Sequence, residues 1–206
     1  MAPTDVPSPI DLRSPIDASE WERTAQLRSG RAEIFRAFVE QLSRVSKTHP
    51  RILELGSGPG FLASSVLDGL PGASMTLLDF SSAMHDLARA RLEARAEGIC
   101  FVQIDFKRAG WIEGLGTFDA VITNQALHEL RHKQHARKFH EQVRTLLGAG
   151  APYLVSDHFH GDGGMTNHEL FMTVDEQRQA LLDAGFRCVE EVRKAGSLVL
   201  HCARGS

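Results

Sequence analysis

The 206-residue chain has no apolar stretch long enough to span a bilayer, and its opening "MAPTDVPSPIDLRSPID" lacks the apolar centre of a signal peptide. A cytoplasmic protein with no membrane partner is the expectation. The chain also lacks a charge excess: 23 Lys and Arg stand against 26 Asp and Glu, for a net charge of −3. No whole-protein basic field is there to draw a polyanion, so no nucleic-acid partner is expected. Cysteine is scarce. Cys100, Cys188 and Cys202 are odd in number and show no C-x-x-C spacing, which argues against a disulfide framework. Each sits in an apolar, strand-like run, so buried free thiols are expected. There is no internal repeat, and no low-complexity tract beyond the first residues. What remains is an ordinary globular composition, 42% hydrophobic and 24% charged, in a chain long enough for one sizeable core.

Residues 1–16 carry four prolines and little periodicity, and read as a flexible arm. Residues 17–48 read as two helices. Ser19 and Glu22 have capping-box spacing for a short helix that Gly30 would stop, and Ile34, Phe35, Phe38, Leu42 and Val45 form an apolar stripe over 31–46. From His49 onward the pattern changes. Short apolar runs at 52–55, 74–78, 99–104, 120–123 and 152–156 alternate with helical segments at 60–69, 82–96 and 129–147. Strands so far apart cannot be joined by hairpins; they imply parallel pairing with crossover helices. The last part breaks that rhythm. Thr173 and Glu176 cap another helix, and "FRCVEEVRK" and "SLVLHCA" flank the turn-like "AGS", as in an antiparallel edge hairpin.

The first strand runs into "GSGPG". Gly56 permits a tight turn, and Gly58 lets backbone approach a ligand with no side chain between. A dinucleotide loop reads G-x-G-x-x-G, but here the third glycine comes one position early and Phe61 stands in its place. The second strand ends in "LLDFS", with Asp79 lying 23 residues past Gly56, where a carboxylate can accept from ribose hydroxyls. Asp105 ends the third strand, and Glu54 sits one residue inside the first. Three carboxylates at successive strand ends suit a cationic nucleoside and repel a pyrophosphate.

These motifs, with "FDAVITNQALHEL" as a fourth, resemble those of the class I S-adenosylmethionine-dependent methyltransferases, in order, over about residues 50–204. The resemblance implies an α/β fold: a Rossmann-like, seven-stranded, mostly parallel sheet with an antiparallel last strand and helices on both faces. It further implies a methyltransferase domain over 49–206, a helical lid over 17–48 and S-adenosyl-L-methionine as cofactor. Gly56 and Gly58 would approach its methionine part, with Glu54 and Ser57 beside them. Asp79 would hold the ribose, with Phe80 and Met84 beside the adenine. Asp105 would take the adenine amino group, with Phe106 packed nearby, and Asn124 and Gln125 would line the passage to the acceptor.

A hydroxyl acceptor needs a general base, whereas an amine needs only desolvation and orientation. His128, just after the fourth motif, and His158, in "VSDHFHGDGG", are the candidate catalytic residues. A metal on His128 and His132, four apart, with Asp157 or His160, is the alternative; no metal is expected, because no clear third ligand accompanies the pair. Trp21, Arg28 and Phe35 could wall an acceptor pocket, with loop 159–172 opposite. The expected reaction is methylation of an oxygen or nitrogen of a small molecule by a monomer or homodimer. Two alternatives stay open: an RNA or protein methyltransferase using the basic segment 130–144, and a non-catalytic binder of the cofactor.

Overall fold

The computed structural model describes residues 4–25 and 27–205. Its seven strands are β1 (Arg51–Leu55), β2 (Ser74–Asp79), β3 (Cys100–Gln103), β4 (Ala120–Asn124), β5 (Tyr153–His158), β6 (Cys188–Ala195) and β7 (Leu198–Arg204). They form one sheet in the order β3-β2-β1-β4-β5-β7-β6. The first five pair in parallel; β7 runs antiparallel to both β5 and β6. The "AGS" hairpin is therefore as expected, with a register shift between Glu191 and Arg193.

Parallel strands covered on both faces must be apolar on both, and β1 and β4 are buried almost throughout. Side chains alternate along each strand. Leu53 and Leu55 enter one core with Phe139 and Val143 of α5 (Ala136–Thr145) and Leu181 of α6 (Val174–Asp183). Ile52 enters the other, with Ile34, Phe38 and Leu42 of α2 (Arg31–Leu42) and Leu62 and Val66 of α3 (Phe61–Gly69). Glu54 shares the face of Ile52, so this carboxylate points toward α2 and α3. Helix α2 is thus part of the main core. Of residues 17–48, Trp21 of α1 (Pro15–Ala25) and Arg31 of the first turn of α2 border the site.

Several boundaries differ from expectation. α1 starts at Pro15, with the Asp17 N–H donating to Ser14 Oγ at 3.4 Å, so Ser19 lies inside the helix. Gly30, with φ of +82°, starts α2 instead of stopping α1. The helix expected over 82–96 is α4 (Ser82–Leu92) followed by a 3-10 segment. That expected over 129–147 is broken where Arg131 turns left-handed, φ +66°, leaving 3-10 turns before α5. Two cysteines are also corrected. Cys100 and Cys188 lie on β3 and β6, the two sheet edges, and are exposed; only Cys202 is buried.

Nor is the described part of the arm loose; residues 1–3 lie outside the described residues. The Arg131 guanidinium donates to the carbonyls of Val6 (2.8 Å) and Pro7 (2.6 Å), and Val6 N–H donates to the Arg131 carbonyl (2.8 Å). Ser81 Oγ donates to the Leu12 carbonyl. Among the described residues no helix is long and apolar enough to cross a membrane.

His201, in β7 between β5 and β6, is fully buried with neither ring nitrogen partnered. Burial first, and Arg178 second, lower its pKa to about 4. The unfolded chain therefore binds this proton below about pH 6.5 while the folded one refuses it, so stability is lost as pH falls from there toward 4. His201→Leu is expected to be about 1 kcal/mol more stable at pH 7, since it removes two unsatisfied buried atoms. It should lose about 2 kcal/mol less than the parent between pH 7 and pH 5. Urea unfolding at the two pH values measures both.

Candidate active site

The strand order reverses at β1, whose neighbours are β2 on one side and β4 on the other. Ligands bind at such a point, beyond the carboxyl ends of the strands. The glycine loop occupies it. Gly56 and Ser57 N–H groups donate to the Leu78 carbonyl at 2.8 and 3.1 Å, and Gly58 N–H donates to Asp79 Oδ2 at 2.8 Å. Asp79 Oδ1 accepts from Ser81 N–H at 2.9 Å. A Cβ on Gly56 would stand 2.3 Å from that of Ala126, so only glycine fits there. At Gly58, with φ of +52°, a Cβ would meet nothing within 4 Å, so backbone faces open space.

That space is a cavity of about 640 Å³, its mouth included. Glu54, Gly56, Ser57, Gly58, Asp79, Phe80, Met84, Phe106, Asn124, Gln125 and His128 all line it. Among the described residues four buried wall atoms have no hydrogen-bond partner: Arg31 Nε, Glu54 Oε2, Ser57 Oγ and Asn124 Oδ1. Burial, then the Asp79 charge, push the Glu54 carboxyl well above the usual carboxylate range, against the pull of Arg31. Burial likewise raises Asp79 to about 6, although its two backbone donors oppose the rise. Buried acids held so high have a site that favours an incoming cation or hydroxyl donor.

His128 and His158 part company. His128 Nδ1 lies 2.7 Å from Asp157 Oδ1, and its backbone N–H donates to Asp157 Oδ2 at 2.8 Å. Its Nε2 is 3.5 Å from Glu129 Oε1, also on the cavity wall. Burial works to lower the His128 pKa, but Asp157, with Glu129, outweighs it, and the imidazole titrates above its ordinary value. His158 stands behind the wall. Its Nδ1 meets Ser197 Oγ at 2.7 Å and its Nε2 meets Gln125 Nε2 at 2.9 Å. Burial lowers it to about 4, leaving it neutral. With both nitrogens engaged, it positions Gln125 and does not reach the cavity. Gln125 needs that support, since its φ of +55° is strained for a side-chain-bearing residue.

A family model described as a methyltransferase domain matches residues 52–150. The malonyl-[acyl-carrier protein] O-methyltransferase of Paenibacillus sp. (strain JDR-2) is 28% identical over 183 residues, 85% of this chain and 65% of that protein. The trans-aconitate 2-methyltransferase of Acidovorax sp. (strain JS42) is 35% identical over 120 residues, 58% of this chain and 43% of that one. The crystal structure of human N-acetylserotonin methyltransferase in complex with SAM has a TM-score of 0.70 at 19% identity. That match covers 94% of this chain and 57% of the human one, and it shows the fold. Residues 52–150 match a methyltransferase domain, and the fold is that of the class I S-adenosylmethionine-dependent methyltransferases. The chain spans less than two thirds of the length of each of these relatives.

The methyltransferase cavity fits S-adenosylmethionine on its own evidence. Unpartnered Glu54 Oε2 and Ser57 Oγ stand beside the bare Gly58 backbone, as a charged amino-acid tail requires, and Met84 and Phe106 supply an apolar slot. One expected member is absent. Asp105 lies two residues beyond β3, in an adjoining hollow with Phe80 and Phe106, where its Oδ2 is 3.6 Å from Arg13. The arm stands between, since Arg13 covers the Phe80 ring at 4.7 Å and Leu12 enters the cavity wall. Arg31, Glu129 and Phe61 also line the cavity and were not foreseen. Glu129 directly follows His128, and Phe61 follows the glycine loop, so proximity in sequence could have found both. Nothing local marks Arg31, which reaches the site because α2 crosses the sheet at that level.

S-adenosylhomocysteine should bind about tenfold more tightly at pH 7.5 than at pH 5, because Asp79, titrating at about 6, must be ionised to accept from hydroxyls. Asp79→Asn should bind weakly at both. Isothermal titration calorimetry at the two pH values checks this.

Proposed function

We propose that this chain transfers the methyl group of S-adenosylmethionine to an oxygen of a small-molecule carboxylic acid, giving a methyl ester. The observation that carries the reading is the His128–Asp157 pair on the cavity wall, with Nδ1 and Oδ1 2.7 Å apart. Asp157 is fully engaged by His128, whose charge holds it below the usual carboxylate range against the opposing effect of burial. Pairing with Asp157 makes this imidazole hold a second proton more readily than a free one, and the protonated ring presents an N–H. In that form it is suited to holding an anionic oxygen, which has no proton to lose. Two of the relatives are named for malonyl-[acyl-carrier protein] and trans-aconitate, in support of the same acceptor class.

Methyl transfer is an in-line displacement for which the cofactor supplies a methyl already activated on a positive sulfur. A carboxylate oxygen forms the new C–O bond as the S–CH₃ bond breaks, and the electron pair stays on sulfur in neutral S-adenosylhomocysteine; no proton moves. The protein's work is alignment and exclusion of water. The strained Gln125 backbone, braced by His158, and the Asn124 side chain border the passage. The edge of the His128 ring beside Glu129 borders the acceptor side.

The macromolecular alternative finds less support. In the basic segment Lys133 pairs with Glu176 at 2.6 Å and Arg137 with Glu141 at 2.9 Å, and Arg144 donates to the Ala184 carbonyl. Those cations are spent within the fold.

Purified chain with methyl-labelled S-adenosylmethionine is expected to label acids from a panel of carboxylic acids, phenols and amines, and mild base should release the label as methanol. His128→Gln should reduce turnover about 100-fold and change S-adenosylhomocysteine affinity less than threefold. Base-stable label in phenols or amines, or no label with any acceptor, overturns the reading.

A further inference from the structure

The single indole of Trp21, on α1, is approached by two cations: the Arg28 guanidinium carbon is 5.1 Å from the ring centroid and that of Arg31 is 5.5 Å. Arg31 also lies 4.7 Å from the Phe61 ring and 5.2 Å from the Phe35 ring. It is 9% exposed, and its Nε has no hydrogen-bond partner. Its recorded protein acceptor is a carbonyl, that of Ala25, at 3.2 Å. Of the carboxylates nearby, Glu22 pairs with Arg91 and Glu33 with Arg193 at 3.4 Å, while Glu54, in the same cavity wall, attracts Arg31 but forms no ion pair with it. Two like charges thus share one aromatic platform, and neither is held in an ion pair among the described residues. Burial, then the Arg28 charge, lower the Arg31 pKa to about 10, against the pull of Glu54. Aromatic faces offset part of that cost, but a group of opposite charge would offset much more.

Position gives the pair its meaning. Arg31 and Phe61 belong to the wall of the cofactor cavity and also to a wider trough with Arg28, Phe35, Arg36 and Arg91. Arg31 lines one cavity with His128 and Glu129, and the trough that it shares with Arg28 adjoins that cavity. An acceptor entering by the trough passes them before it meets the histidine.

We infer that Arg28 and Arg31, on the common platform of Trp21, form an anion subsite that takes a carboxylate of the acceptor other than the one methylated. The acceptors are then small di- or tricarboxylic acids. The bound group is the non-reacting one for a chemical reason: guanidinium donors on the attacking oxygen would occupy its lone pairs and withdraw charge from it. This rests on the carboxylate reading above and extends it from one anionic group to two.

Calorimetry on the full chain saturated with S-adenosylhomocysteine tests it, with succinate, glutarate and tricarballylate as probes and butyrate and trimethyl tricarballylate as controls. At least one polyacid should bind, at least tenfold more tightly than butyrate, and the uncharged triester should not bind. Arg28→Gln and Arg31→Gln should each weaken the polyacid at least tenfold. Arg31 is buried, so Arg28→Gln, at an exposed position, is the decisive variant should the other fail to fold. The subsite is overturned if no polyacid binds, if butyrate or the triester binds as tightly, or if Arg28→Gln changes nothing. Base-labile labelling of butyrate as efficient as that of the polyacids would overturn the subsite alone, leaving the carboxylate reading intact. Failure to label any acid would overturn that reading itself.

Discussion

The Asp79 carboxylate is the tie on which the site depends. One oxygen accepts from the Gly58 backbone and the other from Ser81, so a single side chain holds the glycine loop and the start of α4 against the end of β2. The two donors keep a buried carboxylate in place at a cost: burial raises its pKa to about 6 even so. The Leu78 carbonyl completes the clamp by accepting from Gly56 and Ser57. With the loop fixed from beneath, its backbone forms the cavity floor. The Gly56–Ala126 approach then brings the loop after β4, and with it Asn124, Gln125 and His128, to the opposite wall.

Charge is sorted by depth within this frame. Glu54 and Asp79 lie at the base, where burial makes each a poor anion until a cation or a hydroxyl donor arrives. Arg28, Arg31 and Arg36 line the trough at the mouth. Between them stands His128, whose pKa Asp157 raises, with His158 neutral behind it. On the proposed reading a positive sulfur nucleoside below and an anionic acceptor above are each met by opposite charge. The reaction would remove the charge on sulfur and one negative charge of the acceptor, so the products would be held less firmly than the reactants.

The sheet was legible from residues 50 to 204 because covered parallel strands and crossover helices leave strong periodic patterns, and "AGS" marks its hairpin plainly. Gly56, Ser57, Gly58, Asp79, Met84 and Gln125 were readable because the loop that carries each is fixed by its own strand end. Helix boundaries were less so. Ser14–Pro15 outcompetes Ser19 as the start of α1, and the left-handed turn at Arg131 breaks a segment whose spacing looks helical throughout. Asp105 occupies a strand-end position in the sequence, yet Arg13 on a packed arm draws it to an adjoining hollow. The exposure of Cys100 and Cys188 follows from β3 and β6 being the sheet edges, which strand order alone decides.

By itself the sequence determined the strands, their parallel sense, the side-chain-free loop and the acid that anchors it. Each of these is encoded within a few neighbouring residues by periodicity, by glycine's conformational freedom or by a carboxylate at a strand end. Tertiary structure alone decided which histidine faces the cavity and which stands behind it. It also decided that Arg28 and Arg31 converge on one indole. Those outcomes depend on how α1, α2 and the last hairpin pack across the sheet, and packing joins residues more than a hundred positions apart that carry no common local signal.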